Sequence, residues 1–264
     1  MHRTAKGVAY LALLASLIGH ACLGEVPQSI PLPGKAIGQG RQDNELRLNS
    51  PPDAAMKVAV TQSAQPMGKP AKGARHILNI NFGKAPEDSA PNGVIGGPHD
   101  VWTQVDVHET SKLGLPMADG TPTDITLELS ENDGVWGIPG SFDVYHAYLY
   151  HNCRCVDLTV TLRDLPAGMY EAYVFAHGDA PDQNAAIEIQ SGGTLYSGRK
   201  TLNDGTYDYR SRGHKEGNQF VKYTIEVTTG EPVVITSKRD GSSLSMLNAI
   251  QMKKLKVQRR KTAE

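Results

Sequence analysis

The sequence predicts an all-β protein, folded as an antiparallel β-sandwich or jelly roll. Apolar and polar residues alternate in several short segments, which is the period of strands with one buried face. Loops rich in Gly, Pro and Asp separate these segments, and helical periodicity is nearly absent from the sequence. Many short strands joined by such loops favour a sandwich over a parallel sheet wrapped by helices.

The clearest part of the pattern runs from residue 156 to residue 189. Residues 156–163 alternate between apolar and polar and predict one strand. Pro166-Ala167-Gly168 then predicts a turn, because proline presets φ and glycine accepts a positive φ. The chain returns through residues 170–175, which are rich in Tyr, Val and Phe and favour a pleated, half-buried surface.

The other strands follow from the same parity. Their inward-facing residues are Leu78, Ile80 and Phe82; Ile125, Leu127 and Leu129; Ile187 and Ile189; Val221, Tyr223, Ile225 and Val227; and Val233 and Ile235, before a last strand from Leu244 to Met252. Residues 75–255 are thus predicted to form one domain, long enough for one substantial core. Trp102 lies among valines, so we expect its indole in that core.

Residues 1–24 are predicted to be a secretory signal peptide. Basic residues precede an apolar run from Val8 to Ile18, which is shorter than the roughly 20 residues that span a bilayer. We therefore expect an exported protein, either secreted, periplasmic or at the cell surface, with no transmembrane helix. Gly19-His20-Ala21-Cys22 resembles a lipoprotein cleavage site, so the two alternatives are lipidation of Cys22 and ordinary cleavage nearby.

The flanks of the predicted domain are polar. Residues 25–74 are rich in Pro, Gln, Ser, Gly and Lys and are predicted to be a disordered linker. Residues 256–264 form a basic tail, whose simplest interpretation is a solvated terminus. Over the whole chain 27 Lys and Arg balance 28 Asp and Glu, so we expect no nucleic-acid partner.

Two cysteines follow the signal peptide, as Cys153-x-Cys155. In an extended strand their Cα atoms would lie about 6.5 to 7 Å apart, at the limit for a disulfide, so a bond requires a bend. Export favours oxidation. The alternatives are a local disulfide, two free or externally paired thiols, and two metal ligands without a companion pair.

Six short motifs are spread along the predicted domain. They are Asn79-Ile80-Asn81-Phe82-Gly83, Val101-Trp102, Tyr148-Leu149-Tyr150, Leu165-Pro166-Ala167-Gly168-Met169-Tyr170, His177-Gly178-Asp179 and Leu247-Asn248-Ala249-Ile250-Gln251. Together they resemble the galactose-binding-like β-sandwich modules of secreted bacterial proteins. The resemblance covers residues 75–255 and is architectural. Such modules are similar to carbohydrate-binding modules and malectin-like domains, which implies glycan binding or adhesion for some members. A shared fold does not by itself transmit function.

Two loops offer the aromatic and polar groups that bind sugars. The candidate ligand-binding residues are Trp136 and Tyr145 in the first loop and Tyr207, Tyr209, Arg210 and Arg212 in the second. The alternative is that these rings only cover an edge of the sandwich or pack under their own loops. A common exposed surface would favour the binding interpretation.

A polar cluster around Asp179 and Asp182 could hold a hard cation such as calcium, which would brace the fold. No other cofactor is expected. The sequence contains neither Gly-x-Ser-x-Gly nor His-x-x-x-His, so it offers no motif for a nucleophile or a zinc site. The sequence sets no oligomeric state.

The leading hypothesis is a secreted, non-catalytic module that binds carbohydrate or another extracellular polymer. One alternative is a structural or assembly component of a surface or secretion complex. The other is a hydrolase that acts on glycosidic or ester bonds.

Overall fold

The structure is a computed structural model that describes residues 73–83, 91–106, 109–138, 143–204 and 213–256. The predicted signal peptide, Cys22, the linker up to residue 72 and the tail from residue 257 lie outside the described residues. Ala74 is buried and opens a short 3-10 helix, Ala74–His76. The folded region therefore includes the last residues of the predicted linker.

Strands account for nearly all the regular structure. Those of the described residues are β1 (Ile77–Phe82), β2 (Thr103–Val105), β3 (Ser111–Lys112), β4 (Thr126–Leu129), β5 (Gly134–Gly137), β6 (Ala147–His151), β7 (Leu158–Arg163), β8 (Gly168–Phe175), β9 (Ala185–Ser191), β10 (Thr194–Lys200), β11 (Phe220–Val227), β12 (Val233–Arg239), β13 (Ser245–Leu247) and β14 (Ala249–Lys254). Across the same part of the chain, no helix is long and apolar enough to cross a bilayer.

The strands form three sheets. One has the order β11-β8-β14-β1-β2, the second β10-β9-β12-β7-β4-β3, and a small third sheet β13-β6-β5. The pairings are antiparallel apart from that of β1 with β2, which is parallel. The predicted all-β antiparallel sandwich is confirmed.

The main core lies between the five-stranded and six-stranded sheets. Ile80 and Val174 contribute from the first, and Leu127, Val160 and Ile189 from the second, all fully buried. Side chains alternate between the two faces of a strand, so the apolar residues at every second position meet in one layer. The positions that the sequence predicts to face inwards are therefore the positions that form the core.

A second apolar cluster covers the opposite face of the five-stranded sheet. Trp102 packs there with Tyr173, Phe175 and Phe220, and it is 7% exposed. The prediction that Trp102 is buried is confirmed, but its indole lies in this second cluster and not in the main core. The chain from residue 91 to residue 102, called the strap below, brings Val94 and Ile95 against this cluster.

Buried amides fasten the strap to the sheet. The side chain of Gln251 on β14 accepts the N–H groups of Val94 (2.9 Å) and Ile95 (3.3 Å). Its NH₂ group donates to the carbonyl of Ile95 (2.9 Å) and to Oδ1 of Asn79 (2.8 Å). Asn79 in turn donates to the carbonyl of Val101 (3.2 Å). Two of the sequence motifs, around residues 79 and 251, thus meet in one hydrogen-bond network that supports the fold.

The predicted last strand from Leu244 to Met252 is wrong in one respect, because the structure divides it. β13 belongs to the three-stranded sheet and β14 to the five-stranded sheet. Asn248 separates them, since its side chain donates to the carbonyl of Ala147 (2.9 Å) and accepts the N–H of His177 (2.7 Å). These hydrogen bonds therefore hold the connection between two sheets and are not part of the pairing between strands of one sheet.

Candidate functional site

An exposed indole on a short edge strand marks the candidate site. Strand β5 forms one edge of the three-stranded sheet, and Trp136 within it is 53% exposed. Gly137 follows, and among the described residues no atom beyond its chain neighbours lies within 4 Å of the place where its Cβ would be. Within that part of the chain, the backbone beside the indole is therefore open to an approaching molecule.

Two tyrosines share the face of the sheet that carries Trp136. Trp136 pairs with Tyr148 of β6, and Gly134 pairs with Tyr150. Directly opposite residues of an antiparallel pair project to the same face. The rings of Tyr148 and Tyr150 meet edge to face with centroids 6.2 Å apart. Tyr148 is buried and Tyr150 is half-buried, so Trp136 is the exposed member of this aromatic group.

A carboxylate adjoins the aromatic group. The hydroxyl of Tyr148 donates to Oδ1 of Asp179 at 3.4 Å, and the side chain of Gln183 interacts with the same hydroxyl. Burial is the largest cause that raises the pKa of Tyr148, and the charge and hydrogen bond of Asp179 raise it further. The hydroxyl therefore stays protonated and stays a donor. We call Trp136, Tyr148, Tyr150, Asp179 and Gln183 the aromatic–acidic surface.

The loop that carries Asp179 is held in place by its neighbours. The N–H of Gly178 donates to the carbonyl of Gln183 (3.0 Å), which closes the loop on itself. The buried amide of Asn203 donates to the carbonyls of Gly178 (3.1 Å) and Ala180 (2.7 Å). A Cβ at Gly178 would clash with the side chain of Gln183. The carboxylate of Asp179 is thus presented from a fixed backbone.

Tyr145 lies elsewhere, which corrects the expectation that it shares an exposed surface with Trp136. Its side chain is fully buried in the second cluster, 6.0 Å from the ring of Phe175. The cause is a tight turn, in which the N–H of Tyr145 donates to Oδ1 of Asp143 (2.9 Å). This turn directs the ring inwards, so the structure makes Tyr145 part of the scaffold.

The second predicted loop is described only at its margins. Tyr207, Tyr209, Arg210 and Arg212 lie outside the described residues. His214 follows them and packs against Tyr145, with ring centroids 5.6 Å apart. Burial lowers the pKa of His214, while the charge of Asp143 and a backbone hydrogen bond to Asn92 act in the opposite direction.

The predicted cation site stays a prediction. Asp179 is an acceptor for Tyr148, and Asp182 is exposed in a left-handed conformation with φ 63°. Among the residues described, no three His, Cys, Asp or Glu side chains are grouped to hold a metal ion.

Cys153 and Cys155 form a disulfide, with their Cα atoms 5.5 Å apart. This is one of the three alternatives that the sequence left open. The required bend is a turn in which the N–H of Val156 donates to the carbonyl of Cys153 (3.2 Å).

Sequence reasoning did not include Tyr148 and Tyr150 in the candidate site. The signal was present, because aromatic residues at positions i and i+2 of a strand share a face. The sequence did not contain the register of β6 against β5, which is what brings these rings beside Trp136.

No protein-family model matches the sequence, and no curated protein matches it. Similar solved structures share little sequence. The protein YXIM of Bacillus subtilis is 16% identical over 69% of this chain and 41% of its own, with a TM-score of 0.34. The ANXUR2 extracellular domain of Arabidopsis thaliana is 12% identical over 68% of this chain and 49% of its own, with a TM-score of 0.42.

A third similar structure is the CBM36-1 domain of a multidomain xylanase from the hindgut metagenome of Trinervitermes trinervoides. It is 13% identical over 50% of this chain and 99% of its own, with a TM-score of 0.30. This chain spans less than half the length of the first two structures. At these scores the likenesses assign neither a family nor a ligand, so the resemblance to galactose-binding-like modules stays a prediction.

Proposed function

We propose that this protein is an exported, non-catalytic β-sandwich that binds carbohydrate, or another extracellular polymer with similar faces, through the aromatic–acidic surface. The exposed ring of Trp136 on the same face as Tyr148 is the observation that carries the proposal. An aromatic face covers the apolar C–H side of a sugar ring, which water solvates poorly. Export rests on the predicted signal peptide.

The polar part of the surface would orient the bound sugar. The carboxylate of Asp179 is exposed and accepts hydrogen bonds only, while the amide of Gln183 both donates and accepts. Hydrogen bonds to a charged acceptor are the stronger kind. The negative charge of Asp179 repels carboxylate and sulfate groups. We therefore expect neutral polysaccharides to bind more tightly than acidic ones.

Affinity gel electrophoresis in neutral polysaccharides tests the proposal. Trp136→Ala should weaken binding about tenfold or more, which corresponds to roughly 1.4 kcal/mol, because a central aromatic contact is lost. Leu195→Ala is the matched control, since Leu195 is 55% exposed on β10 of another sheet. Equal retardation of Trp136→Ala and the wild type would refute the site. An unretarded wild type in every polymer would refute the function.

The non-catalytic part of the proposal needs its own test. We expect no release of product from chromogenic glycosides or esters. If the wild type releases product and Asp179→Asn abolishes this activity, the protein is a hydrolase and the non-catalytic proposal is refuted.

An assembly role is the second candidate, favoured by other exposed apolar groups. Leu113, between β3 and β4, is 81% exposed, and β10 is an edge strand accessible along most of its length. Edge strands and exposed apolar side chains are places where chains associate. A stable oligomer in size-exclusion chromatography that Leu113→Ser dissociates would favour assembly over sugar binding.

A further inference from the structure

The disulfide lies in an exposed turn between β6 and β7. Cys153, Arg154 and Cys155 are all exposed. A disulfide stabilises a protein mainly by restricting the unfolded chain, and this effect grows with the length of the loop that it closes. A bond across one intervening residue closes a very short loop. Its contribution to folding is therefore small, while its exposure leaves it open to attack.

Other groups hold the turn without help from the sulfur atoms. Arg239 of β12 donates through Nη2 to the carbonyl of His151 (2.6 Å) and through Nη1 to the carbonyl of Val156 (2.8 Å). The N–H of Cys153 donates to Nδ1 of His151 (3.0 Å). The guanidinium thus ties both ends of the turn. The backbone should keep its shape after reduction, with the two thiols still adjacent.

Charged side chains of both signs adjoin the turn. Arg154 lies between the two cysteines in sequence, and Arg239, only 12% exposed, bonds to both ends of the turn. The carboxylate of Asp133 accepts the N–H of Asn152 (2.7 Å) and offsets part of the positive charge. Asp157 is 3.9 Å from Arg239 and offsets part of this charge. Cationic neighbours favour the thiolate form of cysteine, which is both the nucleophile and the better leaving group in exchange.

We propose that Cys153–Cys155 is a redox-active disulfide that exchanges with thiols outside the cell. A thiolate of the reacting molecule attacks one cysteine Sγ, so that a mixed disulfide forms and the other Sγ leaves as a thiolate. A second thiol, from the same molecule or from another, then attacks the reacting molecule's sulfur in the mixed disulfide and releases the remaining cysteine as a thiolate. Two electrons and two protons pass to the protein, and the two reacting thiols become a disulfide. The proposal is independent of carbohydrate binding.

Titration of the native full chain in glutathione buffers tests the proposal. Thiols are alkylated with a maleimide polymer and counted by gel shift, while circular dichroism follows the fold. We expect two thiols to appear with an excess of reduced glutathione at unchanged circular dichroism, whereas structural disulfides resist this pool. Reduction should lower the melting temperature by less than about 5 °C. Thiols that appear only in denaturant, or a larger drop, would overturn the proposal.

A pair of arginine variants tests the preformed turn. Arg239→Met should slow reoxidation by oxidised glutathione at least about fivefold, because the ends of the turn are released. Arg163→Met is the control, since Arg163 is exposed and pairs with Glu128 on the same sheet. Equal rates for both variants would overturn the role of Arg239. If Arg239→Met does not fold, the titration of the wild type still decides the proposal.

A second donor distinguishes the two sources of thiol. An unfolded, reduced protein replaces glutathione at equal thiol concentration. Faster reduction by the unfolded protein would identify protein substrates, and faster reduction by glutathione would identify small thiols.

Discussion

Replacement of Gln251 by methionine is expected to release the strap from the five-stranded sheet. Methionine matches the length of glutamine and fills irregular space, but it has no amide. The change leaves the N–H groups of Val94 and Ile95, the carbonyl of Ile95 and Oδ1 of Asn79 without their partner. Packing is nearly conserved, so the variant isolates the hydrogen bonds.

The magnitude follows from the four lost bonds. Each contributes about 0.5 to 1.5 kcal/mol to the free energy of unfolding, which gives a loss of about 4 kcal/mol in total. One kcal/mol shifts the melting temperature of a domain of this size by about 2 to 4 °C. We therefore expect a decrease of about 10 °C.

Thermal unfolding and hydrogen exchange measure the two consequences. Besides the lower melting temperature, the amides of Val94 and Ile95 should exchange at least about tenfold faster, because the strap opens locally. Gln190→Met is the control, since Gln190 is exposed on β9. Gly93→Ala is an independent route to the same effect, because its Cβ would clash with Oε1 of Gln251.

A small effect would refute this reasoning. If Gln251→Met lowers the melting temperature by less than about 3 °C, or by no more than Gln190→Met, the amide does not fasten the strap. Unchanged exchange at residues 94 and 95 would lead to the same conclusion.

Three further changes test other parts of the molecule. Tyr148→Phe removes the hydroxyl that contacts Asp179 and should weaken carbohydrate binding about fivefold in affinity electrophoresis. Unchanged affinity would show that the contact between Tyr148 and Asp179 does not contribute to binding. Burial lowers the pKa of folded His214 below its ordinary 6.5, so the unfolded chain binds the proton at higher pH than the folded chain does, and the free energy of unfolding decreases as the pH is lowered from about 7 to 5. His214→Phe should make the free energy of unfolding from urea titrations depend less on pH. An unchanged pH dependence in the variant would contradict this reasoning. Ser245→Ala deprives the buried N–H of Leu158 of its acceptor and should cost about 2 kcal/mol in urea unfolding, whereas a loss below about 0.5 kcal/mol would show that another acceptor replaces it.

The layers of the sandwich could be predicted from the sequence because they depend on local parity. Ile80, Leu127 and Ile189 each alternate with polar or opposite-facing neighbours, and each is buried in the main core. Burial of one face imposes this pattern on a strand wherever its partners lie in the sequence. The alternation therefore predicts the two-layered fold but does not predict the order of the strands in each sheet.

The candidate site could be predicted only in part, because its geometry depends on strand register and on turns. Trp136 and Tyr145 are close in sequence and similar in chemistry, yet one is exposed and the other fully buried. The difference comes from the turn at Asp143, which no periodicity encodes. The contact of Tyr148 with Asp179 joins residues 31 positions apart through tertiary structure alone.

Asn248 has a consequence for comparing this chain with distant relatives. This single residue separates β13 of the three-stranded sheet from β14 of the five-stranded sheet, and its side-chain amide also forms hydrogen bonds with Ala147 and His177. An insertion or deletion of one residue there would exchange the inward and outward side chains of β13 or β14, while the other strands of both sheets stay in register. Alignments should therefore place no gap between Leu247 and Ala249, and loop grafts should be introduced at other junctions.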